Sequence, residues 1–408
     1  MRQARKRARP SGARVPRGEE PSAPGLSFNF GGAKFHDERA AMTESDLRGT
    51  VKREETMTGI AAPRANWRSK LHRRERRFTR PIFLAILGSL LATPAFALDK
   101  VTFGTNWLAD PESGGYYQAV VDGTYAKYGL DVTILPGGPQ SNGGLLLLAG
   151  KIDFFQGGDM LGDFLSAERN IPTVAVAADF QKDPQIFMSH PAVGLDKWTD
   201  LPKAQTAYVS AGGAYSFYAW MVKRWGFSLT NTKPYDFDSA PFIENKHSIQ
   251  EGYLTSEPYV VERDGGFKPN IFLLSDYGYS TYSSLIEARR DTVEKTPDLV
   301  QRFVSASAIG WYHYLYADNA KANQAIKKSN PEMTDGQIAY SIAKLKQYGI
   351  VDSGDALQLG IGAMTDARVK DFFDQMVKAG IIKADTDYKK IYTLEFVDKG
   401  VGVELGPK

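Results

Sequence analysis

Trp107 follows a short alternating stretch, KVTFGT at 100–105, whose period of two predicts a strand. The carboxyl end of such a strand is where open α/β sheets take ligands. A flat indole there can stack on a planar heterocycle, with core packing as the alternative. Its neighbour Asn106 offers a donor and an acceptor to a ring edge. Tyr116 and Tyr117 open a predicted helix, so one should face the interior and the other a binding cleft. Glu257 lies in the turn TSEP at 255–258. A carboxylate pairs bidentately with an N–C–N edge, as it does with guanidinium; a helix-capping acid or a hinge ion pair is the other reading. Ser210, Gly212 and Gly213 precede a predicted helix, where free N–H groups would take an anion, or simply make a turn. Gly137-Gly138 and Gly157-Gly158-Asp159 also follow predicted strands, and either line a cleft or form tight turns.

Other chemistries lack a foothold. The chain has no cysteine, which removes thiolate metal sites and a thiol nucleophile. His190, His247 and His313 are scattered without metal-ligand spacing. No G-x-S-x-G or P-loop occurs. No enzyme activity, metal or cofactor is therefore expected.

Residues 71–97 read as an export signal. A basic run at 72–80 (HRRERRFTR) precedes an apolar core at 82–92, and Ala95-Phe96-Ala97 makes a small-x-small cleavage site. The core is shorter than the roughly 20 residues a membrane-spanning helix needs. The exported chain should begin at Leu98 and work in the periplasm. Residues 1–70, rich in Arg, Pro, Gly and Ala, read as disordered or as a misassigned start. Residues 1–97 carry 20 Lys+Arg and 9 Asp+Glu, whereas the remainder carries 30 and 38. The basic balance belongs to the leader, and the acidic remainder argues against a nucleic-acid partner.

Beyond the signal, strands at 100–105, 130–135, 152–155 and 173–178 alternate with helices at 114–127, 145–149 and 159–169. A second such block follows. Strands are predicted at 205–209, 232–237 and 269–274, and helices at 213–225 and 248–254. From 283 onward the chain reads as helical: 285–294, 297–316, 320–328, 334–348 and 366–379. The pattern predicts an α/β protein with mostly parallel sheets.

Seven collinear segments carry a resemblance: NWLADPESGGYYQA at 106–119, YGLDVT at 128–133, PGGP at 136–139, AGKID at 149–153, FQKDP at 180–184, QEGYLTSEPY at 250–259 and GW at 310–311. Together the chain resembles the periplasmic solute-binding proteins of ABC importers, in the subfamily for thiamine pyrimidine precursors, sulfonates and nitrate. The resemblance implies the type II periplasmic-binding-protein fold, with two α/β lobes, a hinge and a ligand cleft. Lobe one would span 98–187 and 276–408 and lobe two 188–275, with crossings near Met188-Ser189-His190 and Leu274-Ser275-Asp276. It also implies a monomer that delivers its ligand to a membrane permease. Tyr117 matches the family's aromatic. The leading ligand is a thiamine-related pyrimidine; alternatives are a sulfonate, nitrate, an aromatic acid or a riboflavin-type molecule. The chain departs from pyrimidine-binding members by carrying Ser113 where they usually have His. A pyrimidine-processing enzyme is the remaining alternative, and the missing cysteines leave it unsupported.

Overall fold

The computed structural model describes residues 97–139 and 141–407. The leader and the body of the expected export signal lie outside the described residues. Two five-stranded sheets organise the chain. The first joins β1 (Asp99–Gly104), β2 (Leu130–Leu135), β3 (Phe154–Gln156), β4 (Thr173–Phe180) and β10 (Ser283–Arg289), in the order β2-β1-β3-β10-β4. The second joins β5 (Gln185–Ser189), β6 (Thr206–Val209), β7 (Thr232–Pro234), β8 (Ser248–Tyr253) and β9 (Asn270–Leu273), in the order β7-β6-β8-β5-β9.

Each sheet is mixed rather than mostly parallel. β1 runs parallel to β2 and β3, while β10 runs antiparallel to both β3 and β4. β6 is parallel to β7 and β8, and β5 is antiparallel to β8 and β9. The antiparallel strands are those at which the chain enters a sheet from the other one. The first crossing runs through 181–184. The expected crossing at Met188-Ser189 instead falls inside β5, where both residues pair with β8 and β9. The return leaves β9 through the turn Leu274–Tyr277, near the expected place.

Two predicted helices are strands. Residues 248–254 form β8, and the start of the segment 285–294 forms β10. Leu, Glu, Ala and Arg favour helix locally. Here the slot between β3 and β4 overrides that preference, because Leu285, Ile286 and Ala288 bury on both faces of a central strand. The predicted helix at 114–127 breaks at Gly123, whose φ of 76° only glycine adopts cheaply.

The helical return was legible. Helices Pro297–Tyr316, Ala320–Ser329, Asp335–Gln347 and Asp366–Lys378 match the predicted spans closely. Pro297–Tyr316 packs against Gly114–Val121 at very short range. A Cβ at Gly115 would lie under 3.0 Å from three ring atoms of Trp311, and one at Gly114 equally close to Tyr314. Trp311 is fully buried and donates from Nε1 to Asp179 at 2.9 Å; Tyr116 donates to the same carboxyl at 2.5 Å. The glycine pair at 114–115 and the Gly310-Trp311 pair are thus two halves of one helix–helix contact.

Candidate functional site

The loops between the two sheets enclose a cavity of about 550 Å³. Smaller spaces of about 140 and 310 Å³ adjoin it and share the side chains of Trp107, Phe237 and Glu257. Seven expected site residues line the main cavity: Asn106, Trp107, Gly158, Asp159, Ser210, Gly212 and Glu257. They come from the ends of β1, β3, β6 and β8, so the strand-end argument holds for their placement.

Trp107 is half-buried at the end of β1. A tight turn fixes it: its carbonyl accepts from the Thr105 hydroxyl at 2.8 Å and from the Gly137 N–H at 2.9 Å. Its ring meets Phe237, which rises from the loop after β7, with centroids 4.5 Å apart and planes tilted by 57°. Phe237 in turn meets Tyr235 at 5.3 Å. Phe237 holds φ at +65°, a left-handed conformation that is a real outlier for a bulky residue, and its ring is 44% exposed. Such strain survives only where the surroundings impose it, and it collects at ligand clamps. This contact spans from one sheet's loops to the other's. The predicted strand at 232–237 ends at Pro234, which frees Phe237 to turn into the cavity.

Asn106 donates from Nδ2 to the Gly157 carbonyl at 3.3 Å, tying two strand-end loops together. Asp159 caps the helix Met160–Glu168 by accepting from the Gly162 N–H at 3.2 Å, and accepts from the Tyr279 hydroxyl at 2.6 Å. Glu257 begins the helix Glu257–Gly265. Its two oxygens accept from the Tyr235 hydroxyl at 3.1 Å and the Tyr253 N–H at 2.6 Å. The carboxylate therefore faces the cavity and is also a structural acceptor, so both readings of it survive in part.

Three expected residues lie elsewhere. Tyr117 is buried and lines none of these spaces, and its hydroxyl has no hydrogen-bond partner. Both tyrosines turn inward, because the close glycine contact rolls their helix onto Pro297–Tyr316. Gly138, with φ at 148°, sits beside Leu108 instead of the cavity. Gly213 is the N-terminal turn glycine where an anion was expected. A Cβ there would lie under 3.0 Å from the Glu251 Oε2, so the chain's own carboxyl already stands at that helix start.

Sequence reasoning missed the acids. Asp163, Asp183, Glu251 and Glu287 line the main cavity, and Asp110 and Glu112 the adjoining spaces. Asp110, Glu112, Asp183 and Glu251 lie inside segments already singled out for resemblance, yet no local spacing marks a single acid as buried. Burial pushes Asp110 up to about 7, Asp183 to about 8, and Glu251 and Glu287 to about 7. Glu112 is raised well above the ordinary range, first by burial and then by Asp110, although the Thr255 hydroxyl donates to it. No Lys or Arg lines the main cavity among the described residues; Arg263 borders only the outer space of about 310 Å³. Ser113, beneath this floor, donates to Gln156 Oε1 at 2.8 Å and is buried. Among the described residues no group of three or more His, Cys, Asp or Glu is placed to hold a metal ion.

The family model described as NMT1/THI5 like matches residues 110–322. The chain belongs to the NMT1/THI5-like family. The riboflavin-binding protein RibY of Chloroflexus aurantiacus is 24% identical over 313 residues, covering 74% of this chain and 87% of that protein. The periplasmic aliphatic sulphonate binding protein SsuA from Escherichia coli superposes with a TM-score of 0.54 at 11% identity, covering 72% of this chain and 91% of that one. A Candida albicans protein described as having the generic periplasmic binding protein fold superposes with a TM-score of 0.51 at 12% identity, over 72% and 96%. The two sheets of this NMT1/THI5-like protein thus have the periplasmic-binding-protein fold.

Proposed function

We propose that this chain is the substrate-binding component of an ABC importer and captures a planar, donor-rich heterocycle, of which a thiamine-type aminopyrimidine is the leading case. The single observation that carries the reading is the Trp107–Phe237 pair across an acid-lined cavity between the two sheets. The ring faces suit a flat ligand, and the carboxyls suit its N–H edge. Sulfonate and nitrate fit poorly, because the main cavity presents carboxyls and no Lys or Arg among the described residues. The expected partners are a small molecule and a membrane permease, the expected compartment the periplasm, and the expected state a monomer without enzymatic activity. A riboflavin-type ligand is the second reading. It is favoured by the resemblance to RibY and by a cavity volume within the range that holds small molecules.

Calorimetry with 4-amino-5-hydroxymethyl-2-methylpyrimidine, riboflavin and an alkanesulfonate tests the reading. The pyrimidine should bind tightest and quench Trp107 fluorescence. Trp107→Ala should weaken that binding by roughly 1–3 kcal/mol, as removal of a buried aromatic anchor does. A tighter alkanesulfonate would overturn the proposal.

The same reading makes each sheet with its helices one lobe, hinged at the two crossings. A ligand that binds only the closed arrangement stabilises it by its differential affinity. Small-angle scattering should then show a smaller radius of gyration at saturation with ligand. An unchanged radius under saturating ligand would remove the hinge.

A further inference from the structure

The helix Asp335–Gln347 follows β10 in the chain and is tied to the first sheet's side at both ends. Before it, Asn330 donates from Nδ2 to the Ala109 carbonyl at 3.0 Å, in the segment that follows β1. After it, the Ile350 carbonyl accepts from the Gln181 N–H at 2.7 Å and from the Lys182 N–H at 3.1 Å. Lys182 also donates from Nζ to the Tyr348 carbonyl at 3.0 Å. Gln181 and Lys182 begin the first crossing between the sheets.

The middle of the same helix grips the second sheet's side. Ser341 donates from Oγ to the Thr255 carbonyl at 2.6 Å, and both residues are buried. Thr255 follows β8 and stands two residues before Glu257. Its hydroxyl donates to Glu112, which lies in the turn Pro111–Ser113 after β1. Thr255 is thus held from two directions by elements of the first sheet's side. Tyr340 meets Tyr259 with ring centroids 5.5 Å apart, and a Cβ on Gly336 would lie under 3.0 Å from the Tyr259 hydroxyl. Beside these contacts lies the space of about 310 Å³, bordered by Val260 and Arg263 from one side and by Met333 and Gln337 from the other. The junction is therefore a few polar bonds and a ring pair next to open volume. Such a junction can part without tearing a filled core, unlike the contact of Gly115 with Trp311.

We infer that the helix Asp335–Gln347 is a strap that latches the two lobes together, with Thr255 as its catch, and that it sets how far the ligand-free protein stays closed. This rests on the two-lobe reading above and not on the identity of the ligand. Ser341 acts through Thr255 as a positioning residue for the turn that carries Glu257. Without the Ser341 hydroxyl a buried carbonyl loses its donor, and parting the lobes hydrates it, so the open form gains. A ligand that needs the closed form then binds more weakly, in proportion to the closed fraction lost.

Nitroxide labels across the cleft test the strap. The chain has no cysteine of its own. Leu145→Cys and Tyr215→Cys put one label on each rim of the main cavity, at side chains 60% and 79% exposed. Their neighbours Gly144 and Ser216 line that cavity from the two sheets' loops. In the ligand-free exported chain, Ser341→Ala should raise the ratio of long to short label distances roughly fivefold, the effect of one net hydrogen bond. Thr255→Val should raise it similarly, and Thr255→Ser, which keeps the hydroxyl, should match the parent. A residue that served stability alone would lower the thermal midpoint and leave the distances in place. Unchanged distances in both Ser341→Ala and Thr255→Val overturn the strap, whatever a ligand does to them. A shift in these variants, with no response of any chain to the aminopyrimidine or to riboflavin, supports the strap and overturns the proposed function.

Discussion

Gly115→Ala should destabilise the protein by about 1–3 kcal/mol, a cost typical of overpacking a filled core. Two effects oppose each other. Alanine is the better helix former, by about 1 kcal/mol in a helix interior. The new Cβ, however, would lie under 3.0 Å from three ring atoms of Trp311. That ring cannot retreat. It is fully buried, it meets Tyr116, Phe180 and Tyr314 at ring-to-ring contact, and its Nε1 is tethered to Asp179 at 2.9 Å. The steric cost therefore exceeds the propensity gain. Gly162→Ala is the matched control. It is also helical, but nothing lies within 4 Å of its Cβ position, so it should stabilise by up to about 1 kcal/mol. Denaturant midpoints of the two variants should move in opposite directions. A Gly115→Ala protein as stable as its parent would mean that the two helices can separate at little cost.

The ligand-free protein should be more stable near pH 5 than near pH 8, by on the order of 3 kcal/mol or more. The acids of the cavity wall set the sign. Asp110, Asp183, Glu251 and Glu287 are raised by burial to about 7 or 8, and the core Asp179 to about 6. An acid whose pKa is higher in the folded chain binds its proton more tightly there. Its stabilisation is complete below the unfolded value, about 4, and is lost as pH rises through the folded value. The window is thus about pH 4 to 8. Surface acids such as Asp264 and Asp291, held low by neighbouring basic side chains, act in the opposite sense. Their effect falls below the ordinary carboxylate range and outside this window. Urea midpoints should drop steadily from pH 5 to pH 8. A midpoint that is flat or rises over that interval would mean that these carboxyls are hydrated rather than desolvated.

Local sequence pattern determined a good deal of this protein. The βα alternation predicts the first sheet's strands to within a few residues, because period-two burial and glycine stops are local signals. The long helices after residue 297 are equally legible from Thr296-Pro297 and their apolar stripes. Strand-end placement brought Asn106, Trp107, Gly158 and Asp159 to one cavity, since βα loops always emerge at that edge. What depended on tertiary contact was invisible. β8 and β10 are strands because a slot between two partners was open, against their own helical preference. Tyr117 turned inward because glycines two and three residues before it let its helix press on Trp311. Phe237 became a cavity wall through a strained turn that no residue type announces. The acids were the largest loss. Asp163, Glu251 and Glu287 carry no mark in the sequence, and their burial comes from the packing of a helix and two strands whose positions the tertiary fold sets. Burial is a property of the whole chain, so the low polarity around these acids was decided by the tertiary structure alone.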